Sequence, residues 1–479
     1  MQALTEQLFG TYYYGNDWSV TFLPVITSKC ASITVGALAL LTVFTFTTAA
    51  QPPSGNSVEE ITRQIQEGHF QAAKTQLEQE LRADPKRPEL WNLLGIANGE
   101  LGDAASAHAA FQRGLQIAPN SVSLHENTGF LYYREGDYAH AKTELASAVA
   151  LGSDKPGVLF SLAASRLRTG DAKQSLADLK SLEPRLGNLS AYWDERGRAE
   201  SVSDLAAAGQ SFDRALQLQP NDVAALNGAA SAAERQAQDE KALSYLIKAR
   251  QAKPDDVETL AHFGSVCIRR DLGLDAIQAL QHAHALAPSN NSVLFLLARA
   301  NISVENWQKA YDLFDTLSKR MPDFAPAYYA MGWIDRKLSR TADARSKLEY
   351  CLKLAPKTTG AQFELANLEL DDGHIDAAET LLRDVLREQP NHAQANTTMG
   401  DIMMRRGKLQ QAQAFLQTAV RSDPKLAAAH YKLAIVFSRL HQTGQAANER
   451  AIAGRLNEQA KHASKTQLRL ILPESLEAR

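Results

Sequence analysis

The sequence predicts an all-α architecture of stacked helix pairs, and three regularities point to it. Seven prolines, Pro220, Pro254, Pro288, Pro322, Pro356, Pro390 and Pro424, fall thirty-four residues apart, and a fixed period of that length marks a stacked repeat array. Ten residues past a proline stands a small side chain: Gly95, Gly129, Gly264, Gly332 and Gly400, or Ala230, Ala298, Ala366 and Ala434. Twenty-two residues past it stands alanine, from Ala107 and Ala141 through Ala242, Ala276, Ala310, Ala344, Ala378 and Ala412 to Ala446. Four residues further on comes a bulky apolar side chain such as Phe111, Leu145, Leu280 or Leu416.

Apolar residues recur at three- and four-residue steps on both sides of a short polar break, so each unit reads as two amphipathic helices. The small residues let the partner helix approach closely. The break often carries glycine and a polar residue, as in Gly102-Asp103, Gly136-Asp137, Gly170-Asp171, Gly373-His374 and Gly407-Lys408. Glycine just past a helix end can take the left-handed conformation that closes it. The proline then stops the second helix and opens the connection to the next unit.

With Trp91, Leu94-Gly95, Ala107, Phe111 and Pro119 in one unit, and Gly129, Tyr132, Gly136-Asp137-Tyr138, Ala141, Leu145 and Ala148 in the next, the chain resembles a tetratricopeptide repeat protein. The resemblance covers roughly residues 54–460. It implies a right-handed α-solenoid of about twelve helix-turn-helix repeats, whose usual role is to hold another protein.

Residues 1–50 precede the repeats. After Lys29 the run from Ala31 to Thr47 is uncharged and largely apolar, and Thr48-Ala49-Ala50 follow it. This reads as a signal peptide cleaved near Gln51, or else as a retained N-terminal membrane anchor. The expected localisation is exported, periplasmic or secreted in the first case and membrane-anchored in the second. Residues 51–56 form a linker. The first unit has a polar first helix, Ser57 to Gln66, as terminal repeats do. The array is irregular near 175–200, where Ser175 replaces alanine and Pro184 comes early, so the phase slips by one residue before Ala208, Phe212 and Pro220 restore it. A local change of superhelical pitch is expected there. The last unit has Arg450 in the bulky apolar slot, and residues 461–479 read as a capping segment and tail.

Of the 479 residues, 44% are hydrophobic and 22% charged, with a net charge of −3. No global field therefore points to nucleic acid or an anionic membrane. Phosphate loops, nucleophile elbows and His-Glu-x-x-His pairs are absent from the sequence, and the repeats leave no span for a catalytic domain. No cofactor and no metal is expected. His282 and His284 lie two apart and point to different helix faces. Cys267 and Cys351 take packing positions too far apart to bridge, and read as buried apolar thiols.

The resemblance further implies that the first helix of each unit lines a concave groove. The inward offsets carry the aromatic residues Phe130, Tyr133, Phe160, Trp193, Phe295, Tyr329, Trp333, Phe363 and Tyr431. They also carry the bases Arg134, Arg168, Arg235, Arg269, Arg299, Arg336, Lys337, Arg405 and Arg439. Aromatic anchors beside guanidinium groups suit a peptide with acidic groups, while a cation at a helix end also offsets the negative dipole end without any ligand. The lysine of the family's terminal-carboxylate clamp is missing, which disfavours a cytosolic chaperone adaptor. The leading expectation is a non-catalytic envelope scaffold that binds a protein or peptide. An anchored accessory subunit holding a partner enzyme or export machine is the alternative, and the repeat arm of a glycosyltransferase-type enzyme lacks a catalytic domain to support it.

Overall fold

The structure is a computed structural model that describes residues 55–471, with side chains described for 58–459. The expected leader or anchor, most of the linker and the end of the tail lie outside the described residues. Twenty-four α-helices and no strands occur among the described residues, and consecutive helices pack as antiparallel-type pairs along the chain.

The chain divides after Pro288 into two compact units. The first contains α1 (Gly55–Gln66), α2 (Phe70–Ala83), α3 (Pro88–Glu100), α4 (Ala104–Ile117), α5 (Val122–Glu135), α6 (Tyr138–Ala150) and α7 (Pro156–Arg168). It continues with α8 (Ala172–Leu186), α9 (Ser190–Glu200), α10 (Leu205–Leu218), α11 (Val223–Arg235), α12 (Asp239–Ala252), α13 (Val257–Arg269) and α14 (Gly273–Leu286). The second contains α15 (Asn291–Ser303), α16 (Trp307–Arg320), α17 (Ala325–Lys337), α18 (Thr341–Leu354) and α19 (Thr359–Asp371). It ends with α20 (Ile375–Glu388), α21 (Ala393–Arg405), α22 (Leu409–Ser422), α23 (Ala427–Arg439) and α24 (Thr443–Ile471). The stretch expected as a separate cap from 461 instead continues α24.

Odd-numbered helices are the first of each pair and even-numbered ones the second. Their closeness has a direct cause. A Cβ added to Gly95 would lie 2.3 Å from the Phe111 ring, one on Gly129 2.6 Å from Leu145, and one on Gly264 2.5 Å from Leu280. The same holds in the second unit for Gly332 against Leu348 at 2.8 Å and Gly400 against Leu416 at 2.6 Å. The bulky residue of the second helix thus sits directly on the small residue of the first, and Leu145, Leu280, Leu348 and Leu416 are all fully buried.

The turn inside each pair is equally constrained. The Gly136 backbone at φ 82° closes α5 in the left-handed conformation, and Asp137 then caps α6 by accepting from the His140 amide at 3.1 Å. Asp103 and Asp171 cap α4 and α8 in the same way, each such cap being worth about 1 kcal/mol. Where the sequence has no glycine the conformation persists: Ala237, Asp271, Glu305, Ser339 and His441 all have φ between 56° and 60°.

Corners between pairs are stitched by a side chain six residues past the corner. Trp91 donates to the Pro85 carbonyl at 2.9 Å, His125 to that of Pro119 at 2.8 Å, Gln362 to that of Pro356 at 3.1 Å, and Asn396 to that of Pro390 at 2.9 Å. His430 does the same to Pro424. Four residue types therefore make one bond.

The irregular stretch is absorbed locally. Pro184 lies inside α8, which runs to 15 residues, while α9 has only 11. The turn from Ser201 to Asp204 closes without a left-handed residue.

Two outcomes follow from these constraints. Ala237→Gly removes the steric cost of a left-handed side chain and should raise stability by up to about 1 kcal/mol, read as a higher melting temperature, with Gly136→Ala moving it the other way. Ala276 is fully buried, so Ala276→Leu should overpack the α13–α14 pair and cost about 1–3 kcal/mol in chemical denaturation.

Candidate functional site

The arginines expected at the inward offsets of the first helices are for the most part braces between repeats. Arg134 on α5 donates to the Gly99 carbonyl and pairs with Glu100 at 2.8 Å, both on α3 one repeat earlier. Arg235 on α11 donates to the Ser201 carbonyl at the end of α9. Arg269 on α13 reaches back to Glu234 on α11 at 2.6 Å and to Asp239 at 3.2 Å.

Others reach forward. Arg168 on α7 holds Glu195 on α9 at 2.9 Å, and Arg336 on α17 holds Glu364 on α19 at 2.6 Å. Both carboxylates are buried, so deleting either arginine would strand a charge away from water, at a cost of about 3–5 kcal/mol. Arg299 is itself buried and lies over the Phe295 ring. Arg405 folds back onto Asp401 of its own helix at 3.2 Å. Arg439, on α23, is exposed and has no ion-pair partner among the described residues.

Most of the aromatic candidates are core. Tyr329 and Trp333, expected on an open groove, are only 4% exposed each. Tyr329 lies against Gly360 at the start of α19, where an added Cβ would be 2.6 Å from its hydroxyl. Trp333 meets Trp307 edge-on at 5.5 Å, with Lys337 over it at 5.1 Å. Neighbouring first helices lie so close that a ring seven residues past the corner is covered by the start of the next pair. Phe363 is covered in this way by His392, at 5.2 Å, and Phe295 meets Phe324 at 5.7 Å.

In the first unit Phe160 is buried with Leu179, Leu182 and Tyr192, and Trp193 packs against that cluster while donating to the Gly187 carbonyl at 2.8 Å. Phe130 and Tyr133 are half-buried against Leu145 and Val158. Tyr431 on α23 is the exception: among the described residues no further pair follows its own, and it is 56% exposed.

Sequence reasoning missed a charged cluster on α9. Asp194 pairs with Arg198 at 2.9 Å, beside the Arg168–Glu195 pair. Tyr133 and Tyr138 meet edge-on at 5.5 Å, and Arg168 lies over the Tyr138 ring. Burial pushes the Asp194 carboxyl upward despite Arg198, and burial together with Glu195 raises the Tyr133 hydroxyl. The available signal was the composition of α9 itself, with Asp-Glu-Arg-Gly-Arg running through the one first helix where the register slips.

Other chemistry is sparse. Cys267 and Cys351 are free and buried, and burial pushes their thiols up to about 12 and about 11 respectively. His282 pairs with Asp255 at 3.0 Å. Among the described residues no group of histidine, cysteine or carboxylate side chains could hold a metal ion, and no helix is long and apolar enough to cross a membrane. A cleft of about 320 Å³ is lined by Ile247, Arg250, Gln251, Pro254 and His282, none of them a first-helix residue.

Tetratricopeptide-repeat family models match residues 59–122, 336–402 and 369–436. These matches fall on helix pairs of the array, and over those residues the chain carries tetratricopeptide repeats. Its repeats make it a protein–protein interaction scaffold. None of the curated proteins matches the sequence. Among solved structures, the APC/C hetero-tetramer Cut9–Hcn1 is similar at 13% identity over 83% of this chain and 92% of that one, with a TM-score of 0.45. YrrB, described as a TPR protein with an unusual peptide-binding site, is similar at 17% identity over 38% of this chain and 95% of that one, with a TM-score of 0.34.

Because Trp333 fills space between repeats, Trp333→Ala should cost about 3–5 kcal/mol in denaturant unfolding. A Trp333→Ala protein that melts like the parent would return this ring to the list of ligand contacts.

Proposed function

We propose that the protein is a non-catalytic scaffold of the cell envelope, exported to the periplasm or secreted, that holds a protein or peptide partner along its first-helix face. The observation that carries the reading is the exposure of Arg134 and Arg235 in the first unit, which stand at one repeat position on different first helices. Both offer a guanidinium edge beyond their braces, and two such edges on one face suit a peptide bearing carboxylates. Export rests on the uncharged run from Ala31 to Thr47 and the small residues after it. The same run supports a second reading, a retained anchor that holds the scaffold at a membrane. N-terminal sequencing of the purified protein separates the two, since a cleaved chain begins near Gln51 and an anchored one keeps the run.

The face itself is tested in the first unit. Arg134→Glu with Arg235→Glu changes two exposed charges, and exposed ion pairs contribute only about 0–1 kcal/mol each, so the melting curve should stay close to the parent's. In affinity capture followed by identification of the retained protein, the variant should lose what the parent retains. Equal retention by both would remove the first-helix face as the binding surface.

A further inference from the structure

The last described repeat ends on a face whose counterpart at Tyr329 is covered by the next pair. Tyr431 is the repeat equivalent of Tyr329, three periods of thirty-four residues later. Tyr329 is 4% exposed because α19 begins against it, with Gly360 beneath its hydroxyl, whereas Tyr431 is 56% exposed. On α24, which pairs with α23, Ala447, Ala451 and Gly454 are exposed, and nothing lies within 4 Å of where a Cβ on Gly454 would be. Arg450 and Arg455 are exposed too, and neither has an ion-pair partner among the described residues.

The first described helix pair carries a sequence counterpart of the pair that covers Tyr329. Gly360 stands thirty residues before Pro390, and Gly55, the first residue of α1, stands thirty before Pro85. A glycine is what the Tyr329 contact requires, since any Cβ at Gly360 would collide with the hydroxyl. The charges also match. Residues 427–459 carry four Lys and Arg against two Asp and Glu, while residues 55–83 carry five Asp and Glu against three Lys and Arg. Glu59 is exposed on α1.

We propose that the open face of α23 and α24 is a docking surface for a second copy of this chain, received through its first helix pair, with Tyr431 of one copy over Gly55 of the next. The contact continues the repeat stacking between molecules. It joins two different surfaces and is therefore heterologous, so it propagates into a ring or a filament rather than stopping at a symmetric dimer.

Sedimentation velocity on the purified protein from about 1 µM to about 1 mM, a range that spans weak to moderate contacts, tests this. The parent should show species that grow with concentration. Arg450→Glu with Arg455→Glu, and separately Glu59→Lys with Glu60→Lys, should each weaken self-association at least tenfold, because like charges then face each other. Mixing the two variants should restore a complex, since each offers the other its unaltered face. Tyr431→Asp should sediment as a monomer while keeping the parent's helical circular dichroism. A parent that stays monomeric throughout, charge variants that associate like the parent, or a mixture that fails to recombine would overturn the proposal.

Discussion

Everything in this array depends on one steric contact, the bulky side chain of a second helix lying on the small residue of its own first helix. The distances from an added Cβ, 2.3 Å at Gly95 and 2.5 Å at Gly264, leave no room for even one methyl group. Interiors are packed to crystal-like density, so a contact this tight fixes both the distance and the rotation of the two helices. The turn must then close within a few residues, which most pairs do with a left-handed backbone at its end. The corner must release the second helix at a set place, which the proline does. Repetition at thirty-four residues is the sequence consequence of solving this one packing problem again and again.

Once first helices lie side by side at a fixed spacing, long polar side chains on them meet their neighbours before they meet a ligand. Arg168 and Arg336 reach forward to buried carboxylates, while Arg134 and Arg269 reach back. Glu126 shows the same logic with other donors, accepting from Ser153 at 2.6 Å and Lys155 at 2.7 Å. A buried charge that loses its partner is far more costly than an exposed one, so these pairs hold repeats in register.

The features legible in the sequence are those that act through the backbone at a single residue. Prolines at corners, the Gly-Asp turns and the run of alanines each impose a local demand that only a few residue types meet. Ala237, Asp271, Glu305, Ser339 and His441 were not legible as left-handed turn residues, because packing of the flanking helices imposes that conformation whatever residue stands there. Nor was the burial of Tyr329 and Trp333. An offset from the proline tells which side of a helix a ring occupies, but not how near the next helix comes. Pro184 and Ser175 announced an irregular repeat. The Asp194–Arg198 pair it contains lies at helical i,i+4 spacing in the sequence, but the approach of Arg168 from α7 to the neighbouring Glu195 does not show there.

That irregular repeat separates what the array can vary from what it cannot. Its turn lacks a left-handed residue, its first helix is short, and polar bonds knit it together: Ser211 donates to Glu200 at 2.6 Å, Arg196 reaches Glu200 at 3.0 Å, and Ser190 donates to Asp222 at 2.8 Å. Yet the steric contact survives. A Cβ on Gly197 would lie 2.9 Å from the Phe212 ring, and one on Gly228 in the following repeat only 2.3 Å from it. A single bulky side chain thus serves two small residues where the register slips, one on its own first helix and one on the next. Turn geometry, helix length and polar content all change around it, so the small-on-bulky contact is the constraint and the other elements are adjustable ways of meeting it.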